Sequence, residues 1–144
     1  MENCIFCKFA HKEITPTILW EDEDLMIFLD KFPIREGHCL IIPKKHYETF
    51  EELPEKLASK LFLTAQKLAK QLKHIYKVER IGFVFTGGDI AHAHAHLVPM
   101  IDKNHDITSE RYILNSDKLK YSSAHLEKSQ QELENTREKI NFNL

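Results

Sequence analysis

Three histidines at alternate positions constrain this chain more than any other feature. His92, His94 and His96 stand in the run Ala-His-Ala-His-Ala-His-Leu-Val-Pro. Alternate residues of an extended strand share one face of a sheet, at a rise of about 3.3 Å per residue, whereas a helix would scatter them around its axis. The intervening alanines and the apolar residues that follow favour a half-buried strand. The sequence therefore predicts a row of imidazoles that faces an anion or a metal ion.

A structural role is the main alternative for these histidines. Single strand histidines are often hydrogen-bonded core residues, and histidine-rich tracts often bind metal ions adventitiously. The interior position and the regular alternation with apolar residues exclude a purification tag and favour a functional row.

The composition indicates a single globular domain. The 144 residues have a formal net charge of −2, and 42% of them are hydrophobic, which is sufficient for a core. This charge gives no reason to expect nucleic-acid binding. Charged residues interrupt the N-terminal apolar stretch, and no apolar run approaches the roughly 20 residues of a membrane span. We expect a cytoplasmic protein without nucleic-acid or membrane partners.

Cysteine usage does not fit a disulfide-stapled secreted protein. Cys4 and Cys7 form a Cys-x-x-Cys pair, and Cys39 stands alone. The pair is a redox motif, half of a zinc site, or two unrelated thiols. A thioredoxin-like motif needs a preceding strand, and only three residues precede Cys4. Zinc is the stronger interpretation if the fold supplies two further ligands.

Five apolar segments bounded by turn residues predict strands. They are residues 14–21, 25–30, 38–42, 81–85 and 90–98. The first two form a hairpin, and a tight turn at residues 86–89 joins the last two. These segments predict an α+β fold with a five-stranded antiparallel sheet.

Two further segments predict helices. Pro54 suits the first position of a long helix, and Leu57, Leu61, Ala65, Leu68, Leu72 and Ile75 form its apolar stripe. Farther on, Leu119, Leu126, Leu133 and Ile140 recur every seven residues. One apolar position per heptad is too narrow for a free coiled coil, so we expect a helix that docks on the domain or on a second subunit.

Several blocks of residues together resemble a known family. They are Cys4-Ile5-Phe6-Cys7-Lys8, Trp20-Glu21-Asp22, Phe28-Leu29-Asp30, Gly37-His38, Ile42-Pro43-Lys44-Lys45-His46 and His92 to Pro99. In their order and spacing the chain resembles the histidine triad (HIT) family, in its bacterial branch with an N-terminal Cys-x-x-Cys. The resemblance implies a HIT domain over residues 1–110, whose sheet continues across a homodimer, and a C-terminal helical extension over residues 111–144.

The resemblance also implies a nucleotide hydrolase or nucleotidyl transferase. The middle histidine, His94, would attack the α-phosphorus of a nucleoside phosphoramidate, an adenylate or a dinucleoside polyphosphate and become transiently nucleotidylated. His96 would bind the nonbridging phosphate oxygens and supply positive charge. In relatives a backbone carbonyl holds the other nitrogen of the middle histidine.

By the same resemblance, other residues would bind a purine nucleotide. Asp30 would accept hydrogen bonds from the ribose hydroxyls, and Ile18, Trp20 and Phe28 would sandwich the base. The alternatives are an exposed turn carboxylate for Asp30 and ordinary core packing for the apolar residues.

The resemblance completes the ligand set for the Cys-x-x-Cys pair. Cys4, Cys7, His46 and His92 occupy the positions where several bacterial relatives bind zinc through two cysteines and two histidines. His92 is then a ligand of a structural zinc ion, which leaves His94 and His96 for chemistry.

The loop before the triad departs from the family pattern. Many members carry an asparagine and a Gly-Gln or Gly-Ser pair there, whereas this chain has Thr86-Gly87-Gly88-Asp89. The amides of Gly87 and Gly88 or the hydroxyl of Thr86 could replace some phosphate contacts, because glycine permits close approach. The departure favours an alternative function, a nucleotide- and zinc-binding interaction module with little turnover.

Overall fold

An antiparallel sheet of five strands forms the centre of the computed structural model, which describes residues 4–101, 107 and 109–144. The strands are β1 (Ile18–Glu21), β2 (Leu25–Leu29), β3 (Cys39–Pro43), β4 (Arg80–Phe85) and β5 (Ala95–Met100). Their order is β1-β2-β3-β5-β4, and every pairing is antiparallel. The predicted α+β class and five-stranded antiparallel sheet are confirmed.

The long helix α2 (Glu55–Tyr76) covers one face of the sheet. Its predicted stripe is buried at Leu61, Ala65, Leu68 and Leu72, which pack in one core with alternate residues of the strands. Pro54 is the N-cap residue, one position earlier than predicted. Burial of this stripe is the main source of helix stability, because a helix gains more from packing than from propensity.

A short N-terminal helix that the sequence did not predict, α1 (Ile5–Ala10), covers part of the opposite face. Phe6 packs there with Met26 and Phe28 of β2 and with Leu40 and Ile42 of β3. The sheet is therefore buried on both sides at its centre, which explains why all five residues of β2 are buried.

The histidine segment is less regular than predicted. The strand begins at Ala95, so His92 and His94 precede it, and residues 86–94 form an irregular connection instead of a tight turn and a strand. The last ladder pair is Phe85 with Ala95. Beyond that pair the His92 amide donates to the Ile90 carbonyl at 2.8 Å, which folds the backbone back on itself. The prediction of three imidazoles in one strand row is wrong for this reason.

The C-terminal segment combines a hairpin with a helix. Strands β6 (Tyr112–Asn115) and β7 (Lys118–Tyr121) flank a turn whose two central residues have positive φ angles, 49° and 63°, which suits a two-residue hairpin. Helix α3 (Gln130–Ile140) begins with a capping box and packs on α2 and β1. The predicted helix is correct at Leu133 and Ile140, which are buried. It is wrong at Leu119, which lies in β7 and is 74% exposed, and at Leu126, which ends a 3-10 turn before the helix begins.

No helix in the described part of the chain has the length and apolar character needed to cross a membrane.

The first strand is shorter than predicted, because residues 14–17 lie outside β1.

Candidate active site and metal centre

His94 is held in a single tautomer by the backbone of its own segment. The Nδ1–H of His94 donates to the carbonyl of His92 at 2.6 Å, which leaves the lone pair on Nε2. The ring is 4% exposed and makes edge contacts with Phe6 and His96 at centroid distances of 5.2 and 5.1 Å. This carbonyl contact is the one that the resemblance implied, and it leaves Nε2 as the ring nitrogen with a lone pair.

The buried imidazole of His38 orients His96. The amide of Ile34 donates to Nδ1 of His38 at 3.0 Å, so the proton of His38 lies on Nε2. That Nε2–H donates to Nδ1 of His96 at 2.9 Å. The proton of neutral His96 is therefore on Nε2, which lies 3.5 Å from the hydroxyl of Thr86. His96 presents a hydrogen-bond donor to the space beside His94.

Both members of this pair are neutral near pH 7. Burial lowers the pKa of His38 from 6.5 to about 3 and that of His96 from 6.5 to about 4. The like charge of His94 adds to the lowering of the His96 pKa, and that of His96 adds to the lowering of the His38 pKa, whereas Asp30 opposes both shifts. His96 therefore offers a neutral donor instead of the positive charge that we expected from the resemblance.

Asp30 lies beside the histidine pair at the end of β2. Its Oδ1 accepts the amide of Phe32 at 2.8 Å, and its Oδ2 accepts Nη2 of Arg111 at 2.7 Å. The same Oδ2 is 3.5 Å from Nε2 of His38. Asp30 is thus not an isolated turn carboxylate, and its remaining lone pairs can still accept hydroxyl groups.

The hairpin β6–β7 contributes side chains to this region. A cavity of about 190 Å³ is lined by His96, Thr86, Gly88 and Asp89 from the body and by Arg111, Tyr112 and Tyr121 from the C-terminal segment. The hydroxyl of Tyr121 donates to Asp89 at 2.9 Å and accepts Nη1 of Arg111 at the same distance. Sequence reasoning missed Arg111 and Tyr121, because only the folded hairpin brings them to the triad.

The apolar residues predicted for the base separate onto two faces. Ile18 and Phe28 lie with Phe6 and Phe9 on the triad side, where the Phe6 and Phe28 rings are 5.5 Å apart. Trp20 does not join them, because a register shift between Ile18 and Trp20 turns it to the α2 face. There it packs on Phe142 with a centroid distance of 6.5 Å. Phe6 and Phe9 of α1 are aromatic neighbours of Phe28 that the sequence did not predict.

The loop before the triad borders a second, open cavity. Thr86, Gly87 and His94 line it together with Glu48 and Phe50, and its volume is about 230 Å³. Gly87 has a φ of 62°, and a Cβ atom at this position would meet no atom within 4 Å. The loop backbone is therefore open to close approach by a ligand on the side of His94.

Four predicted metal ligands converge between α1 and the triad. The ligand atoms of Cys4, Cys7, His46 and His92 all lie within 4.8 Å of one another. Cys4 Sγ is 3.4 Å from Nδ1 of His92, and Cys7 Sγ is 3.3 Å from Nδ1 of His46. Tetrahedral zinc, with bonds of about 2.3 Å to sulfur and about 2.0 Å to nitrogen, separates such atoms by about 3.5 Å.

The surroundings of the cluster also suit a metal ion. The Nε2–H of His92 donates to the carbonyl of Pro43 at 2.8 Å, so the lone pair on Nδ1 points toward the cysteines. Burial and the adjacent Cys4 raise the pKa of Cys7 to about 11, so its thiolate requires a compensating cation. The residues therefore fit a structural zinc ion.

Comparison with known proteins identifies the family. A match to the HIT domain covers residues 11–103. The chain belongs to the HIT family. An uncharacterized HIT-like protein of Methanocaldococcus jannaschii is 31% identical over 118 residues, which are 79% of this chain and 92% of the relative. The resemblance found in the sequence is confirmed.

Two further HIT relatives have more informative names. The adenosine 5'-monophosphoramidase of Saccharomyces cerevisiae is 36% identical over 101 residues, which are 69% of this chain and 64% of that protein. The structure of a hypothetical histidine triad nucleotide-binding protein from Sulfolobus tokodaii has a TM-score of 0.74 and 26% identity. The structural match covers 96% of this chain and 89% of the Sulfolobus tokodaii protein.

Proposed function

We propose that this HIT protein is a nucleotide hydrolase or nucleotidyl transferase that acts at the α-phosphate through a nucleotidyl-His94 intermediate. The observation that carries the proposal is the tautomer of His94, whose Nδ1–H is bound to the His92 carbonyl and whose Nε2 lone pair is free. The similarity to an adenosine 5'-monophosphoramidase supports a nucleoside phosphoramidate as the first substrate class to test. Adenylates and dinucleoside polyphosphates remain within the proposal.

The reaction divides into two displacements. In the first, Nε2 of His94 forms a bond to the α-phosphorus, and the bond to the leaving group breaks with its electron pair on the leaving nitrogen or oxygen, which takes a proton from water. In the second, water attacks the same phosphorus, His94 recovers its lone pair, and the surplus proton passes to solvent. The Nε2–H of His96 donates to the phosphate oxygens in both steps.

The nucleoside would lie between the acidic and the apolar residues beside the triad. Asp30 would accept the ribose hydroxyls, and Phe28 and Ile18 would contact the purine base together with Phe6 and Phe9. Thr86, Gly87 and Gly88 would contact the phosphate groups from the loop. Trp20 is left out of this proposal because it packs on the other face of the sheet.

We further propose that Cys4, Cys7, His46 and His92 hold a structural zinc ion. Zinc would fix α1 against the segment that carries the triad, while His94 and His96 remain outside the ligand set. Reduced cysteine ligands are typical of the cytoplasm, which is the location we propose.

A homodimer with a continuous sheet is also part of the proposal. Strand β4 is an edge of the sheet, and unpaired edges favour pairing with a second chain. Next to it lies a chain of aromatic contacts, in which Phe62 packs on Phe83 and Phe50 packs on Phe85. Phe50 and Phe62 are 57% and 54% exposed, which is typical of an association surface.

Rapid-quench mass spectrometry of the intact protein tests the covalent mechanism. The protein is mixed with an adenosine phosphoramidate and quenched within milliseconds, and we expect added adenosine monophosphate on His94. The variant His94→Asn should bind nucleotide but form neither adduct nor product, and the control variant His74→Asn should behave as wild type because His74 lies on the exposed surface of α2.

Retained turnover in His94→Asn would contradict the mechanism. Nucleotide binding without adduct or product in the wild type would instead favour the interaction module. The specific observation behind that second function is the loop, which carries Gly88 and Asp89 where many relatives carry phosphate-binding side chains.

A further inference from the structure

The histidines and the loop before the triad supply no positive charge for the phosphate. His38 and His96 are neutral near pH 7, because burial lowers the pKa of both. The loop contributes Thr86, two glycines and Asp89, and the carboxylate of Asp89 lines the cavity beside His96. Transfer of a phosphoryl group is assisted by cationic groups that stabilise the charge on its oxygens. A cation must therefore come from another element.

Arg111 is the one cationic side chain among the described residues that line the cavity at His96. Its side chain is 12% exposed, and its guanidinium donates from Nη2 to Asp30 and from Nη1 to the hydroxyl of Tyr121. Its Nε is buried and has no hydrogen-bond partner among the described residues. An uncompensated buried N–H is costly, so this group has unused capacity for an acceptor in the cavity.

The hairpin segment holds the backbone of Arg111 firmly. The neighbouring Glu110 forms an ion pair with Arg35 at 2.8 Å, in which the arginine side chain is 5% exposed. The Glu110 carbonyl accepts Nε2–H of His125, and the carbonyl of Arg111 accepts the amide of Ser122, both at 2.8 Å. The side chain of Arg111 can therefore change partners while its backbone stays in place.

We propose that Arg111 binds the phosphate of the nucleotide substrate. This inference rests on the proposed function, which places the ribose hydroxyls on Asp30 and the α-phosphate beside His94 and His96. When the ribose occupies Asp30, the guanidinium exchanges its contact with that carboxylate for the phosphate oxygens, to which an arginine can donate two parallel hydrogen bonds. The hydroxyl of Tyr121 keeps its hydrogen bond to Asp89, which occupies one oxygen of that carboxylate.

Comparison of two probes, adenosine and adenosine monophosphate, tests the proposal by calorimetric titration. In Arg111→Gln the affinity for adenosine monophosphate should fall by about 10- to 100-fold, which corresponds to the loss of a charged hydrogen bond. The affinity for adenosine should stay the same or increase, because Asp30 loses a competing partner. Arg111→Lys should restore part of the monophosphate affinity, since it keeps the charge without the fork geometry.

The control variant Arg137→Gln removes an exposed ion pair on α3 and should bind both probes as the wild type does. Equal losses for both probes in Arg111→Gln would show that the arginine only supports Asp30, and unchanged affinities would show that it does not touch the phosphate. Either result overturns the inference but leaves nucleotidyl transfer intact. A wild-type protein that binds neither probe would overturn the proposed function as well.

Discussion

The buried pair of His38 and His96 predicts a specific dependence of stability on pH. The pKa of His38 is lowered from 6.5 to about 3, chiefly by burial, so the folded protein keeps this ring neutral where the unfolded chain protonates it. The stabilising contribution is complete above pH 6.5 and is lost as the pH falls below that value. The variant His38→Gln removes this titration while its amide can still donate to Nδ1 of His96.

The magnitude follows from the two pKa values. At pH 5 protonation stabilises an unfolded histidine of pKa 6.5 by about 2 kcal/mol, and the folded ring at a pKa of about 3 gains almost nothing. Between pH 8 and pH 5 the wild type should therefore lose about 2 kcal/mol more stability than His38→Gln. The slopes of unfolding free energy against pH should differ between the two proteins by at most about 1.4 kcal/mol per pH unit.

Urea denaturation at a series of pH values between 5 and 8 measures this difference. The variant is expected to be less stable throughout, because the amide of Ile34 loses the acceptor that Nδ1 of His38 provides. That offset does not affect the test, which compares slopes. Groups that do not contact His38 contribute equally to both slopes. Parallel curves would refute the argument, because they would mean that His38 protonates in the folded state as easily as in the unfolded chain.

Two other predictions concern the metal centre and the core. The double variant Cys4→Ser, Cys7→Ser should lose the zinc that elemental analysis finds in the wild type, and equal zinc in both would exclude the cysteines as ligands. The variant Leu68→Ala should lower the free energy of unfolding by about 2 to 5 kcal/mol, because Leu68 is fully buried between α2 and the sheet. The exposed Lys67→Ala on the same helix should change it by less than about 0.5 kcal/mol, and similar values for both variants would contradict the assigned burial.

The hydrophobic periodicity of the sequence correctly predicted the long helix and the central strands. The stripe of α2 and the apolar strands β2 and β3 pack as their patterns indicate, because burial of one face or of both faces decides their structure. The same reasoning failed at the histidine segment. The alternation from His92 to His96 is compatible with a strand, but backbone hydrogen bonds to Ile90 and Tyr47 hold the first part in an irregular path.

The candidate site was predictable only where its residues belong to sequence motifs. The motif residues that the structure brings together include His94, His96 and Asp30, along with the four predicted metal ligands. Trp20 was misplaced because a bulge reverses the alternation of β1, and alternation from Ile18 alone cannot reveal it. Arg111 and Tyr121 reach the site through the β6–β7 hairpin, whose position depends on contacts distant in sequence, such as the ion pair of Glu110 with Arg35.

One residue, His92, belongs to the proposed metal site and also holds the proposed nucleophile His94. The ring of His92 directs Nδ1 toward the cysteines, and the carbonyl of the same residue accepts Nδ1–H of His94. Loss of the cysteine ligands would release His92 and its short, irregular backbone segment, and a shift of that backbone would move the carbonyl that holds His94. The cysteine double variant should therefore lower kcat by misorienting His94, while KM changes little, because in the proposed function Asp30 and Phe28 would bind the nucleoside away from the cluster. A change in KM with unchanged kcat would show that the cysteine cluster does not position His94.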